Sequence, residues 1–562
     1  MIPDIVGRRA QENANLIWKT ANALSGLYKP HEYGMVLLPM CIIKRLHDCL
    51  QTGAAYPYSN TSCHTFDSLL AAPEQLAGNF MEFLDGFSTN VQQILDLMQF
   101  RSRIPVMAEA GILHQLIRDF AAHDLGPDRI STVDMGYIFE NLVQRFSESY
   151  NDTAGAHFTS RDIIHLMCDL LLAGRDYGDV CTVYDMTMGT SQMLTCMAER
   201  LTQRNPGMNV QTFGQEINPF TMAIAAADAL IHGNNVNNMK LGNTLTDDQF
   251  SGHTFDLIVS NPPFGVNWQR EYNGVMAEHQ LGEAGRFAPG LPAKNDGQML
   301  FLLNGVKKLA DNGRMAIIQS GSSLYVGDAG SGPSEIRKYL IHDHDWLDAI
   351  IQLPADSFYN TSISTYIWIL DKNKPLHRKG KVQLIDASNC YRSRKSIGHK
   401  RRDIGDASRE LILRAYDNFQ TGTTEGVESD GKTIVCKSHV ADSISFGHHR
   451  VVVETPVRND DGTPILRRGK KIPDVPFRDT ENIPLAEEID DYMAREVLPY
   501  NPDAWIDEVK TKIGYEIPFA RIFCEYQKIE HSSEIAARIT AREQRLAEQL
   551  RSLFGGEDGY GL

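Results

Sequence analysis

Apolar residues return at helical spacing through the first quarter of the chain and come in short, separated bursts after it. Segments 11–27 and 35–50 carry the helical repeat, with Pro39 near the start of the second. Segment 132–146 sets Met135, Ile138, Phe139, Leu142 and Val143 on one face. Residues 1–150 therefore read as an all-helical domain. Further on, short β-branched runs alternate with helical ones. Strands are expected over 180–184, 210–214, a short run ending near Leu241, then 255–260, 313–319, 347–353 and 364–370. Helices are expected between them over 163–172, 193–201, 221–232, 298–309 and 336–343. This alternation predicts an α/β fold built on a doubly wound parallel sheet, with an antiparallel strand at its edge. Residues 265–297 are polar and glycine-rich and read as a long loop; 371–480 read as charged and turn-rich. A last helix opens at Ser532 and Ser533, where Ile535, Ile539, Leu546, Leu550 and Leu553 form a narrow near-heptad stripe suited to pairing with another chain. The domains so drawn are 1–150, 151–480 and 481–562, the first two joined by a polar linker around 147–157.

Composition narrows the class without naming it. With 562 residues, 42% apolar and 22% charged, the chain has core enough for two or three globular domains. No apolar stretch has the length of a membrane span and the start shows no signal-peptide pattern, so a cytoplasmic protein is expected. The nine cysteines are scattered without a Cys-x-x-Cys pair, which indicates neither a disulfide framework nor a zinc site, and no metal is expected. His31 and His47 read as surface or capping residues.

The candidate chemistry sits where apolar bursts end. Residues 255–260 run into Asn261-Pro262-Pro263-Phe264-Gly265, and two prolines cannot continue a sheet ladder. An amide side chain, a rigid turn and an aromatic ring are thereby left at the carboxyl end of a strand, where open α/β sheets bind ligands. The group suits a flat amino-heterocycle such as adenine. The Asn261 oxygen and the Pro262 carbonyl can each accept one amine N–H, and Phe264 can stack on a base taken out of a duplex. Upstream, Asp185-Met186-Thr187-Met188-Gly189-Thr190-Ser191 links a strand to a helix as cofactor loops do. Glu216 ends the next strand, well placed for the two hydroxyls of a ribose. Neither Gly-x-Gly-x-x-Gly nor a Gly-Lys-Ser/Thr loop occurs, which argues against a dinucleotide and against a nucleotide triphosphatase. Thr159 reads as a helix N-cap, with Asp162 reaching back as in a capping box.

In this order the features resemble the modification subunit of type I restriction–modification systems, a family of adenine-N6 DNA methyltransferases using S-adenosylmethionine. The resemblance spans nearly the whole chain. Its most specific marks are Asn261-Pro262-Pro263-Phe264, the run 313–318 and the preceding 295–301, with Tyr515-Glu516-Ile517-Pro518-Phe519 leading into the terminal helix. It implies a Rossmann-like methyltransferase sheet with an all-helical N-terminal domain and a C-terminal helical tail. It also implies that Phe158, Thr159, Asp185, Gly189, Thr190 and Ser191 hold the methionine end of the cofactor. Glu216 would bind its ribose, and Asn243 would lie near its adenine. Asn261, Pro262, Pro263 and Phe264 would form the catalytic turn, and Phe358 or Tyr359 a second stacking face for the substrate base. The implied partners are double-stranded DNA, a DNA-specificity subunit, a second copy of the chain and a restriction subunit. The formal charge of −16 agrees with a partner supplying much of the DNA grip, although Arg392, Arg394, Lys395, Lys400, Arg401 and Arg402 make a basic cluster able to meet phosphate. Against the family pattern Asp-Pro-x-x-Gly-Ser-Gly-Gly, Met186, Ser191 and Gln192 stand where proline and two glycines are usual, and Asn243 where an acid is usual. A methyltransferase-fold scaffold that binds cofactor poorly is one alternative; a protein glutamine methyltransferase is another.

Overall fold

Strand order explains how the bursts assemble. The computed structural model describes residues 15, 17–131, 134–136, 138–139, 141–142, 145, 159–231, 236–359, 361–397, 399–524 and 532–554. The strands are β1 (Val180–Asp185), β2 (Asn209–Glu216), β3 (Met239–Leu241), β4 (Phe255–Ser260), β5 (Leu309–Ser320), β6 (Leu347–Gln352), β7 (Thr365–Asp371) and β8 (Lys381–Asp386). Beyond them lie β9 (Arg392–Ile397), β10 (Lys400–Asp403), β11 (Gly422–Val427) and β12 (Thr433–Asp442). One ten-stranded sheet runs β11-β12-β8-β6-β7-β5-β4-β1-β2-β3. Strands β1 to β5 pair in parallel. The order reverses between β1 and β4, and that is where such a sheet opens a crevice at its carboxyl edge.

Antiparallel pairing does occur at the edge, where β12 runs against both β8 and the edge strand β11, and a further reversed strand lies inside the sheet. β7 runs antiparallel to both β5 and β6. Among the described residues the stretch from Gln352 to Thr365 forms no crossover helix, and the chain turns back to pair β7 directly with β6. β7 is buried along its whole length, and Ala316, Ile318, Ile367 and Ile369 pack together on one face of the sheet.

Residues 371–480 are more regular than their charge suggests. β12 alternates buried Ile434, Cys436 and Ser438 with more exposed neighbours, a period of two that lets a polar segment extend the sheet. Charges also go inside in pairs. Arg314 donates to the carbonyls of Leu171 (2.8 Å) and Ala173 (2.9 Å) and lies 3.4 Å from Asp371. Arg378 and the Tyr416 hydroxyl both donate to Asp348, at 2.9 and 2.6 Å. This buried network ties β5, β6 and β7 to the helix Asp406–Asn418. The glycine-rich stretch 265–297 is likewise ordered around a helix, Tyr272–Gln280. Trp268 and Phe287 are buried there, and Arg286 bonds the carbonyls of Thr244 and Leu245 and the side chain of Asn304. Its apolar anchors are too sparse to show a period.

The N-terminal segment is helical as expected. The helix Gly34–Gln51 carries Pro39 in its second turn. Met135, Ile138, Phe139 and Leu142 are buried, while Val143 and the linker 147–157 lie outside the described residues. His47 is a core residue rather than a surface one: it packs edge-on to Phe83, and burial lowers its pKa. The His31 side chain is outside the described set. The alanine-rich helix Pro219–Ile231 joins the helical core to the sheet, with Ala223, Ala226 and Ala227 facing one and Ala225 and Ala229 the other. Small side chains let two layers approach one helix.

A second sheet pairs β13 (Gly447–Glu454) with three strands between residues 479 and 515. Residues 519–562 form a separate unit whose helix Ser532–Phe554 exposes Ile535, Ile539 and Leu546; the side chains of Leu550 and Leu553 are outside the described set. No helix among the described residues is long and apolar enough to cross a membrane.

Candidate active site

The carboxyl ends of β1, β2 and β4 build the site. Buried β1 delivers Asp185, 1% exposed, to the sheet edge. Asp185 Oδ1 accepts the Thr187 N–H (3.0 Å) and the Ser260 hydroxyl (2.7 Å), and Thr187 Oγ1 lies 2.9 Å from Ser260 Oγ. Burial pushes the Asp185 carboxyl up to about 7. The two donors offset burial only in part, and the Glu216 charge adds to the rise. A buried acid near neutrality gains most from a cation brought beside it.

The loop after Asp185 turns tightly. Met188 N–H donates to the Gln215 carbonyl (3.0 Å) and Ser191 N–H to the Met188 carbonyl (2.8 Å). Gly189 (φ 54°) and Ser191 (φ 69°) both adopt the left-handed conformation. Around Gly189 nothing lies within 4 Å of the point where a Cβ would sit, so its backbone faces open space as a cofactor cradle requires. Ser191 is buried but keeps the backbone turn that glycine favours, so the loop's shape survives its composition. Thr190 is half-buried beside it.

Glu216 holds the loop from β2. Its Oε2 accepts the Gly189 N–H (3.0 Å) and its Oε1 the Asn218 N–H (2.8 Å). Burial raises its pKa against the pull of these amides. A carboxylate has about four acceptor directions, so these amides leave acceptor capacity for a hydroxyl. Asn243 follows β3; its Oδ1 accepts the Leu245 N–H (3.0 Å) and its Nδ2 donates to Glu271 (3.0 Å). An acid is thus present beside Asn243, delivered by the stretch 265–297.

Asn261, 6% exposed, leaves β4 one residue after Ser260. Its Nδ2 donates to Thr159 Oγ1 at 2.9 Å. Its Oδ1 is buried and has no hydrogen-bond partner among the described residues. Leaving such an acceptor empty costs about 1–3 kcal/mol, a cost that an incoming N–H would remove. Pro262 is buried, and Pro263 and Phe264 are half-buried. Phe358 is buried and meets the Phe264 ring edge-on, with centroids 6.4 Å apart. Tyr359 lies farther out, with Lys400 5.8 Å from its ring centroid.

The hydrogen bonds therefore join Thr159 to Asn261, Asp185 to Ser260, and Glu216 to Gly189, while Asn243 is tied to Glu271. Phe158 is outside the described residues. The capping box is not formed. Ser160 starts the helix Arg161–Leu172, Thr159 is engaged by Asn261, and Asp162 pairs with buried Lys400 at 3.1 Å. Burial works against the Asp162 carboxylate, yet the Lys400 charge and donors from Ser160, Ile404 and Lys400 outweigh it and hold its pKa low. Glu271 and Ser260 carry no local signal of a role, Glu271 being 28 residues from Asn243. Lys400, expected with the basic cluster to meet phosphate, is instead buried and engaged by Asp162 and by Ser160, the latter 240 residues away.

A mixed sheet whose β1 to β5 are parallel and whose β7 is reversed, a glycine-cradle loop after β1, an acid after β2 and Asn-Pro-Pro-Phe after β4 define the chain as a Rossmann-like methyltransferase. Residues 131–457 match the N-6 DNA Methylase family, more than half of the chain, and the protein belongs to that family of adenine-specific DNA methyltransferases. Among curated relatives, it is 27% identical over 437 residues to the type I restriction enzyme HindI methylase subunit of Haemophilus influenzae, covering 75% of this chain and 89% of that one. It is 28% identical over 291 residues to the MpnII methylase subunit of Mycoplasma pneumoniae, covering 50% of this chain and 51% of that one. The solved methyltransferase subunit of a type I restriction–modification system from Streptococcus thermophilus shares the fold, with a TM-score of 0.63 at 23% identity over 77% of this chain and 96% of that one.

Proposed function

We propose that the protein transfers a methyl group from S-adenosylmethionine to the N6 amine of adenine in double-stranded DNA, as the modification subunit of a type I restriction–modification complex. The single observation that carries this reading is the empty, buried Asn261 Oδ1, with its own amide clamped by Thr159. The clamp fixes which end of the amide faces the substrate. Asn261 Oδ1 then accepts one amine hydrogen and the Pro262 carbonyl the other, drawing the nitrogen lone pair out of the ring. Pro263 stiffens the turn, and Phe264 stacks on the flipped base, its ring braced by Phe358. Tyr359 offers a further apolar face outside that pair.

The cofactor supplies a methyl group on a positively charged sulfur. Asp185, whose carboxyl burial raises to about 7, would be favoured in its ionised form by a bound cation, and Ser260 and Thr187 orient it. Thr159, Gly189, Thr190 and Ser191 would line the methionine end, with Phe158 preceding them. Glu216 would take the ribose hydroxyls, and Asn243 with Glu271 the adenine edge. Catalysis rests on positioning rather than on a covalent nucleophile.

The organisation we propose is a helical part over 1–150, a methyltransferase part over 151–480 and a partner-binding part over 481–562. The exposed stripe of the terminal helix supports pairing with a DNA-specificity subunit, two copies of this chain flanking it and a restriction subunit joining. Nine cysteines scattered along the sequence without a Cys-x-x-Cys pair fit work in the reducing cytoplasm. The test is co-expression with the neighbouring subunits, followed by transfer of labelled methyl from S-adenosylmethionine into duplex DNA. N6-methyladenine is expected, and an active complex that leaves adenine unmodified would overturn the proposal.

A further inference from the structure

We infer that the β9–β10 hairpin grips the phosphate backbone of duplex DNA beside the target base through Lys395, Arg401 and Arg402. This rests on the reading of the site as a DNA methyltransferase and names the part of the chain that holds the substrate's backbone.

The charge is concentrated against the trend of the molecule. In a chain of net charge −16, residues 392–403 hold six Lys and Arg side chains against one Asp. That acid, Asp403, is already shared: it lies 3.0 Å from Arg394, 3.2 Å from Lys400 and 4.0 Å from Arg392. Period two places Arg392 and Arg394 on this neutralised face and Lys395 on the other. Lys395 and Arg401 are exposed, and among the described residues neither makes an ion pair. The Arg402 guanidinium lies 4.3 Å from the Tyr391 ring centroid, which holds its planar fork in a defined orientation. Like charges on a two-stranded ribbon repel, and a polyanion bound there relieves the repulsion.

The hairpin is also rigidly registered to the candidate active site. Lys400, fully buried, donates to Ser160 Oγ and to the Ser357 carbonyl, each at 3.0 Å. Ser160 follows Thr159, the residue that clamps Asn261. The Arg401 N–H donates to the Asp356 carbonyl and the His399 N–H to that of Tyr359, both at 2.9 Å. The same backbone therefore positions the base-holding amide and the unpaired cations. One buried lysine spends its charge on the anchor, leaving the three outer cations for the ligand.

The experiment uses the full chain, together with any subunit that co-purifies, and a duplex of about 40 bp titrated between about 50 and 200 mM salt. Lys395→Ala/Arg401→Ala/Arg402→Ala is compared with wild type, and the milder Lys395→Gln/Arg401→Gln guards against misfolding. Each lost phosphate contact lowers the slope of log K against log salt by about 0.9, so the triple variant should lose about 2.7. Over that fourfold change in salt, the wild-type advantage in affinity should shrink about 40-fold. An unchanged slope in both variants, or no salt-dependent duplex binding by wild type, overturns the inference. Calorimetry with S-adenosylmethionine separates the two readings. Cofactor heat with an unchanged slope removes the hairpin contact alone, whereas a reduced slope without cofactor binding or methyl transfer removes the methyltransferase reading and leaves the DNA contact.

Discussion

Asp185→Asn should make the protein more stable while disabling cofactor binding. Oδ1 of Asp185 receives both of its hydrogen bonds, from Thr187 N–H and Ser260 Oγ, and the carbonyl oxygen of asparagine can receive the same two. What changes is the buried charge. The folded carboxyl titrates at about 7 against an ordinary aspartate value of 3.8, so the native state binds more protons than the unfolded chain between those pH values. Stability contributed at this position is therefore lost as pH rises from about 4 to about 7, and it stays lost above. Three pH units at 1.36 kcal/mol each give a penalty on the order of 4 kcal/mol at pH 8, falling to about 2 kcal/mol at pH 5.5. Urea unfolding of wild type and variant at both pH values should show the variant's advantage growing with pH. An advantage that is flat, or that shrinks toward pH 8, would refute the claim that Asp185 is held charged against its environment. The same variant should show no calorimetric heat with S-adenosylmethionine.

Other expectations follow from single contacts. Ser191→Gly relieves a left-handed non-glycine residue and should raise stability by about 0.5–1 kcal/mol in denaturant titration; a loss would show that the serine contributes a contact of its own. Lys400→Met leaves Asp162 buried without its cation and should cost about 3–5 kcal/mol, read as a lowered unfolding midpoint; an unchanged midpoint would deny the anchor its role. Glu271→Gln removes the acid beside Asn243 and should weaken S-adenosylmethionine binding on the order of tenfold, about 1.4 kcal/mol, in calorimetry. Equal affinity would place the adenine edge elsewhere.

The parts of the site legible from the chain are those that a local pattern encodes. Two prolines after β4 mark the end of a strand, so Asn261 is placed without any knowledge of its neighbours. Asp185 and Glu216 close apolar runs in the same way. Glu271 and Lys400 are legible only in three dimensions, because each acts on residues that no periodicity connects to it. Direction is invisible too: the apolar run 364–370 predicts β7 but not that it runs against β5 and β6, because the link after β6 returns without a crossover helix among its described residues. Ser191 shows the opposite case. A missing glycine reads as a crowded loop, yet the backbone adopts the glycine conformation with serine in place.

The central claim is that Asn261 Oδ1 waits for an amine hydrogen, and single-turnover methyl transfer by Asn261→Ala tests it most directly. With duplex binding and fold intact, the rate should fall by at least about a hundredfold, the usual loss when one preorganised hydrogen bond is removed from a transition state. Methylation of duplex adenine by that variant at the wild-type rate would contradict the account.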